Sequence, residues 1–469
     1  MFDLLRYKDR TAVITDRGEH LSYGELAVAA KCFAAAIEGK SLLFCLCENL
    51  LGSFVGYVAC MEHHIPVVLL DGGKDISLLK ALIGIYQPEY IWADTAKLKE
   101  IGGESIHTYA SFSLHKMLYE SEVEKPEINP DLSLCLTTSG STGSPKFVRL
   151  SEKNVQSNAE SIAEYLEIDE NERPATTLPS YYSYGVSVLN SHLIKGATIL
   201  LTDGTIAQRE FWNFIKENKA TSIAGVPYTY EMLKRLRFFR MDLPNLRTMT
   251  QAGGKLNKDI AKEYIEFAQN TGKRFFVMYG QTEATARMSY LPLEHALDKY
   301  ASIGVAIPRG KFSLTDADGN PIDSADVDGE LVYEGPNVCL GYAECRADLA
   351  KGDDNHGVLH TGDVARRDSD GYYYITGRMK RFVKVWGNRC NLDTVEQLAK
   401  GVTTSCACAG VDDKITVFVT EPGLEDAIIK LLAEKTGFNN RAFAVKVIDS
   451  IPVKSSGKID YPALQQMLN

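Results

Sequence analysis

The chain has 469 residues, past the size at which one hydrophobic core stops growing, so two or more domains are expected. Its 45% hydrophobic and 24% charged content is that of a globular protein able to bury such cores. A net charge of −10 with no long basic run leaves no electrostatic footprint for nucleic acid, and no apolar stretch reaches the roughly 20 residues that span a bilayer.

The start, MFDLLRYKDRTAV, lacks the apolar core of a signal peptide, so a cytoplasmic protein is expected. From about residue 20 to 285, short apolar runs alternate with helical patterns. Ser22 and Glu25 form a Ser-x-x-Glu capping box, which predicts a helix after Ser22. Then come the strand-like SLLFCLC, a helix through about Met61, IPVVLLD, another helix and EYIWAD. The rhythm resumes with LSLCLTTS, KFVRLS, a helix after Ser151, and the runs ATTLP, GATILL, ATSIAGV, LRTMTQ and RFFVMYG. Short, nearly continuous apolar runs are the pattern of strands buried on both faces. Their alternation with helices predicts an α/β fold of helix-wrapped β-sheets.

Between about 290 and 376 the texture changes to alternating patterns and turn dipeptides: DADGN, DVDGELVYEG and DSDGYYYITG. Asp-Gly pairs flanked by β-formers predict hairpins, hence a β-rich subdomain closing a large domain over 1–377. The basic stretch RMKRFVK then leads into a small α+β domain over 378–469, with two helices and several short strands expected. Of the ten cysteines, Cys45/Cys47 and Cys406/Cys408 are the nearest pairs, and neither makes a two-pair zinc pattern. Cys45 and Cys47 would share one face of a buried strand, so core packing is expected for them and for the second pair. His63 and His64 are read as ordinary packing or exposed residues.

The segment richest in chemistry is TTSGSTGSPK, Thr137 to Lys146. Thr138, Ser139, Gly140, Ser141, Thr142 and Gly143 lie between two strand-like runs, where their amides and hydroxyls could wrap phosphate oxygens. Lys146 would close that cradle with a positive charge. A P-loop needs Gly-Lys-Ser/Thr opening a helix, whereas here Pro145 precedes Lys146 and the β-like FVRL follows; that reading fails.

The loop resembles the phosphate-binding signature of the adenylate-forming, or AMP-binding, superfamily: acyl-CoA synthetases, luciferases and the adenylation domains of peptide synthetases. The resemblance runs from about residue 20 to 465, and four further segments follow in the family's order. In MYGQTEAT it implies that Tyr279 stacks on adenine, Thr282 contacts the α-phosphate and Glu283 helps hold magnesium. A hard cation prefers carboxylate oxygen, and a metal neutralises charge as pyrophosphate leaves. In TQAGGKL, Gly253 and Gly254 would let backbone approach the purine and the acyl group. In HTGDVARRDSDGYYYITGR, Asp363 would accept both ribose hydroxyls and Arg378 would reach the ribose or phosphate. In PVKSSGKIDYPAL, Lys458 resembles the family's mobile catalytic lysine, carried on a lid that hinges near Lys380. The loop KVWGNR, with Gly387, resembles the lining of the pantetheine tunnel in thioester-forming members.

Two positions depart from the family pattern. In LPSYYSYGVS, Tyr182 stands where many members carry histidine, which puts that residue's gating role in doubt. Ser183 stands where peptide-synthetase domains carry an aspartate for the substrate's α-ammonium, and a neutral hydroxyl cannot supply that charge. Amino-acid substrates are therefore disfavoured. Tyr181, Tyr182 and Tyr184 either line an acyl pocket or belong to the core.

Taken together, the resemblance implies activation of a small carboxylic acid with ATP and Mg²⁺ to an acyl-adenylate. Transfer to coenzyme A, or to the phosphopantetheine of an acyl or peptidyl carrier protein, would follow. Two rivals stand beside it: an enzyme that hands the acyl group to an amine or stops at the adenylate, and a non-catalytic nucleotide-binding regulator. Intact Lys146, Glu283, Asp363 and Lys458 argue against the second.

Overall fold

Strand Leu43–Cys47 shows how the first half of the chain is built. All five of its side chains are buried, and they divide by parity. Leu43, Cys45 and Cys47 pack with the helices Tyr23–Ala35 and Leu51–Glu62, while Phe44 and Leu46 pack with the helix Ile76–Tyr86. A strand alternates its side chains between two faces, so an unbroken apolar run is what a sheet covered by helices on both sides requires. The two cysteines are thus core residues with free thiols, as expected, and Cys406 and Cys408 are buried in the same manner. His63 and His64 are exposed, with His64 Nδ1 2.7 Å from Glu152 Oε2.

The structure is a computed structural model and describes residues 1–119, 126–137, 146–379, 381–386, 388–403, 405–454 and 459–468. The sheet around Leu43–Cys47 has eight strands in the order 341–343, 147–151, 132–137, 67–71, 43–47, 90–94, 112–116 and 104–109. Its centre is parallel and antiparallel pairings flank it on both sides. A second sheet runs from 289–290 through 274–279, 248–251, 222–225, 174–175 and 199–201 to 11–15 and 20–22. Its middle strands are parallel, so the strand ends Gln251 and Tyr279 emerge on one side.

The expected capping box of Ser22 with Glu25 is present and opens the helix Tyr23–Ala35; the helix expected after Ser151, Glu152–Tyr165, opens on a second box, Ser151 with Asn154. The ATTLP run yields only the two-residue strand Pro174–Ala175. Beyond it the pairing is made partly by a side chain, with Thr202 N donating to Thr176 Oγ1.

By contact the chain divides into two compact units. One comprises Met1–Tyr300, Ala306–Lys311 and Glu334–Leu359 and holds both large sheets. The other comprises Ala301–Val305, Phe312–Tyr333 and His360–Asn469. Within it the Asp-Gly segments do form turns: Tyr373–Arg378 pairs antiparallel with Val358–Arg367 across the turn at Asp368 to Gly371. Among the described residues, its C-terminal portion has a three-stranded sheet, 406–411, 414–419 and 443–447, and three helices rather than two: Leu392–Ala399, Glu425–Thr436 and Tyr461–Gln466. The third is six residues long and opens on Tyr-Pro, capped by Asp460, too short to show a helical period.

Candidate active site

Strand Arg274–Tyr279 delivers its last residue to a tight reversal. Gly280 packs so closely on the returning chain that a Cβ there would fall 1.5 Å from the Ala286 carbonyl oxygen. The reversal is made by the short 3₁₀ turn Thr282–Ala284 and by two consecutive residues with positive φ, Thr285 at 58° and Ala286 at 105°. Side chains rarely adopt such angles without support, at about 1–3 kcal/mol each. Here Thr285 Oγ1 donates to Asn337 O at 2.7 Å and Asn337 Nδ2 donates to Ala284 O at 2.8 Å, both buried. The Gln-Thr-Glu motif is thereby held at the strand's end while the next side chain, Arg287, is turned into the interior with 2% exposure.

Thr282 meets Ser183: their hydroxyl oxygens are 3.1 Å apart. Ser183 is the first residue of the helix Ser183–Leu193, and Tyr182 is its N-cap. All eleven residues of that helix are buried, although SYGVSVLNSHL is rich in Ser, Gly and Val, all weaker helix formers than alanine. Val186, Leu189 and Leu193 anchor it in the core shared with Leu43, Cys45 and Cys47. Tyr182 and Tyr184 are both buried and pack edge to face, with the Tyr184 hydroxyl donating to Thr250 Oγ1 at 2.8 Å. Burial pushes both phenols well up, so they remain protonated donors. Tyr181 is partly buried against the core of the first sheet.

Glu283 and Lys146 share a third residue that the sequence did not single out. Strand Gly341–Ala343 pairs antiparallel with Phe147–Ser151, with Tyr342 opposite Val148 and Ala343 opposite Phe147. That register sets Glu344 against Lys146, whose Nζ is 2.5 Å from Glu344 Oε1 and 5.8 Å from the centre of the Tyr342 ring. The Tyr342 hydroxyl donates to Glu283 Oε1 at 2.8 Å, and burial together with that carboxylate pushes the phenol far up. The contact spans 59 residues, and no local motif in CLGYAE announces it.

Gly253, with φ 85°, and Gly254 follow strand Thr248–Gln251, whose register places Gln251 beside Val277. Gln251 Nε2 donates to Gly254 O at 2.9 Å and fixes that turn. In the second unit, Asp363 and Arg378 are direct cross-strand partners; Arg378 Nε donates to Asp363 Oδ1 at 3.0 Å, the carboxylate being 2% exposed. Thr138, Ser139, Gly140, Ser141, Thr142, Gly143, Lys380, Gly387 and Lys458 lie outside the described residues.

The model of the AMP-binding enzyme family matches residues 3–343. The chain belongs to that family. Among its curated relatives, a feruloyl-CoA synthase of Amycolatopsis sp is 28% identical over 345 residues, covering 70% of this chain and 68% of the relative. Luciferin 4-monooxygenase of Nipponoluciola cruciata is 25% identical over 497 residues, covering 96% and 90%. The fold is also that of o-succinylbenzoate CoA synthetase from Bacillus subtilis in complex with its acyl-adenylate OSB-AMP: TM-score 0.78, 19% identity, covering 97% of this chain and 95% of that one. The same enzyme with ATP and magnesium ion gives a TM-score of 0.76. The family resemblance and the α/β fold read from the sequence are borne out. Among the described residues, no helix is long and apolar enough to cross a membrane.

Proposed function

We infer that this AMP-binding enzyme joins AMP to a small carboxylic acid, releasing pyrophosphate, and then transfers the acyl group to coenzyme A. One substrate carboxylate oxygen forms a bond to the α-phosphorus of ATP as the bond to pyrophosphate breaks. The thiol sulfur then bonds to the acyl carbon, and AMP leaves with the electron pair of the broken C–O bond. The observation that carries the reading is the convergence, within one unit, of Thr282 on Ser183 and of Glu283 on Tyr342 beside Lys146. In this reading the Thr282 hydroxyl faces the α-phosphate, Lys146 exchanges its exposed partner Glu344 for phosphate oxygens, and Tyr279 covers the adenine. Most of the rate enhancement then comes from positioning and fixed charge.

Magnesium fits the chemistry of the donor set. Among the described residues no group of three or more His, Cys, Asp or Glu could cage an ion. A single carboxylate at Glu283, oriented by Tyr342, suits a cation held by one or two carboxylates plus phosphate oxygens and waters. When bound, magnesium would neutralise charge on the departing pyrophosphate.

Asp363 would take the ribose hydroxyls with Arg378 beside it, Lys380 would be the hinge of a C-terminal lid over 378–469, Gly387 would line the thiol path and Lys458 would serve adenylation. Coenzyme A is favoured as acceptor because several of the relatives are, by name, CoA-forming. The test is ATP–pyrophosphate exchange across a panel of carboxylic acids, followed by AMP release with coenzyme A or a loaded carrier protein. Exchange with no acid would sink the reading. Exchange without thioester formation on coenzyme A would sink only the acceptor.

A further inference from the structure

Helix Ser183–Leu193 carries a serine every fourth position: Ser183, Ser187 and Ser191. Residues four apart share a helix face, so one polar line runs inward from Thr282 along a helix otherwise packed in apolar surroundings. Arg287 meets that line one turn in. Its Nε donates to Ser187 Oγ at 3.2 Å, its Nη1 reaches the Tyr165 hydroxyl at 3.3 Å and Met278 Sδ at 3.7 Å, and its guanidinium lies 5.0 Å from the centre of the Tyr184 ring.

Every one of these partners is neutral. A guanidinium taken almost wholly out of water is costly unless an anion accompanies it. Arg287 also lines a cavity of about 20 Å³, together with His192, Val188, Ala224, Ile223 and Thr250. The other charged residues on that wall are already matched, Glu172 by Arg247 at 3.0 Å and Arg274 by Glu167 at 2.8 Å. Among the described residues of that wall, the positive charge left over is that of Arg287. His192 adds a second polar edge: its Nδ1 is bonded to Val188 O at 2.8 Å, so its imidazole is fixed in place.

Resting on the acid-activating reading above, the geometry points to an acid with a second anionic group, a short dicarboxylic acid. Its reacting carboxylate lies at Thr282 and its far carboxylate is held by Arg287, which Ser187 and Tyr165 position. Ser187 is one helical turn, ~6 Å, beyond Ser183, which matches a chain of roughly four to six carbons. The cavity beside Arg287 has room for about a water or two; Ser187 and Tyr165 bond Arg287 and do not themselves line it. A positive charge at this depth also repels a substrate ammonium, consistent with the serine at 183.

The test compares succinate, glutarate and adipate with butyrate, valerate and hexanoate, acid by acid at equal carbon number, in ATP–pyrophosphate exchange. The wild type should favour the dicarboxylates by about a hundredfold or more in kcat/KM, as expected for a buried charge left unpaired by the methyl-ended acid. Arg287→Met should erase the preference and Arg287→Lys should keep part of it, with AMP binding unchanged in both. Equal or better use of the monocarboxylates by the wild type would overturn the proposal and leave the ligase reading standing. The wild-type comparison needs no variant, so misfolding of Arg287→Met cannot shelter the idea. Were no acid to support exchange, the ligase reading itself would fail. Calorimetric titration of glutarate into the AMP-bound protein would then decide: binding by wild type but not by Arg287→Met supports the subsite, and any other result removes it.

Discussion

Three glycines of the candidate site differ in what a methyl group would meet, and that difference predicts a graded series. At Gly254 the nearest neighbours of an added Cβ are Pro227 Cγ at 3.2 Å and Cδ at 3.5 Å, a side chain able to shift by a few tenths of an ångström. Replacing glycine by alanine also lowers the entropy of the unfolded chain by about 0.4–1 kcal/mol, so Gly254→Ala should be near neutral. Gly253 has φ 85°, and an L-residue there is strained by about 1–2 kcal/mol. At Gly280 the added Cβ would lie 1.5 Å from Ala286 O, 2.6 Å from its carbonyl carbon and 2.9 Å from Arg287 Cα, all backbone. Nothing flexible yields there, so the Thr285–Ala286 reversal must move, and the cost should reach ~3 kcal/mol or more, at or beyond the top of the overpacking range. Urea denaturation of the three variants, with pyrophosphate exchange on the same samples, reads both stability and site. Gly280→Ala should unfold first and lose the most exchange. A Gly280→Ala midpoint no lower than that of Gly254→Ala would show that the close approach does not hold the motif.

Tyr342→Phe removes one hydrogen bond to the Glu283 carboxylate from a partly exposed side chain, worth ~1 kcal/mol, so exchange should fall about fivefold. Its magnesium requirement should rise, and an unchanged magnesium titration would separate Tyr342 from the metal. His192 is held down to about 4, by burial first, against an unfolded value near 6.5. A depressed folded value means its contribution is present above about 6.5 and lost as pH falls through the window to about 4, up to ~3 kcal/mol in all. Stability measured from pH 7.5 to 5 should therefore decline less steeply in His192→Asn than in wild type, and parallel slopes would contradict the assignment. Lys458→Ala should lose exchange by about 10² to 10³, the effect of removing one preorganised charge, while a supplied acyl-adenylate is still converted with coenzyme A. Equal loss in both half-reactions would leave Lys458 a general binding residue.

The parallel core was legible because its signal is local. SLLFCLC, IPVVLLD and EYIWAD are short apolar runs, and burial on both faces is the condition that produces such runs. The capping box at Ser22 was legible for the same reason, its three-residue spacing to Glu25 being enough to define it. The helix Ser183–Leu193 was not. Its residues are weak helix formers, and it exists because the space between two sheets buries every side chain it has. Motif residues along the strand ends could be named in advance, since each stands on a short signature. Tyr342 could not, because it reaches Glu283 through the pairing of strands nearly two hundred positions apart in sequence.

Arg287 was hidden in plain view as the residue after MYGQTEATA, where a polar side chain reads as surface. Only the positive-φ pair Thr285–Ala286 and the Asn337 bonds turn it inward, and backbone reversal of that kind has no sequence signature beyond the glycine before it. Its position changes what Ser183→Asp should do. On the sequence alone an aspartate at 183 would supply the partner that a substrate α-ammonium needs. In the structure positions 183 and 187 are adjacent on one helix face, ~6 Å apart at Cβ, and Arg287 already sits on Ser187. An aspartate placed there acquires a cation within reach and is neutralised before any amino acid arrives. Ser183→Asp alone should therefore lose exchange with dicarboxylates and gain none with amino acids. Ser183→Asp combined with Arg287→Leu removes the competing cation, and exchange with small α-amino acids should rise above the wild-type level in the double variant only. Gain of amino-acid exchange in the single variant would show that Arg287 does not reach position 183, and would take the charge argument for the inner pocket with it.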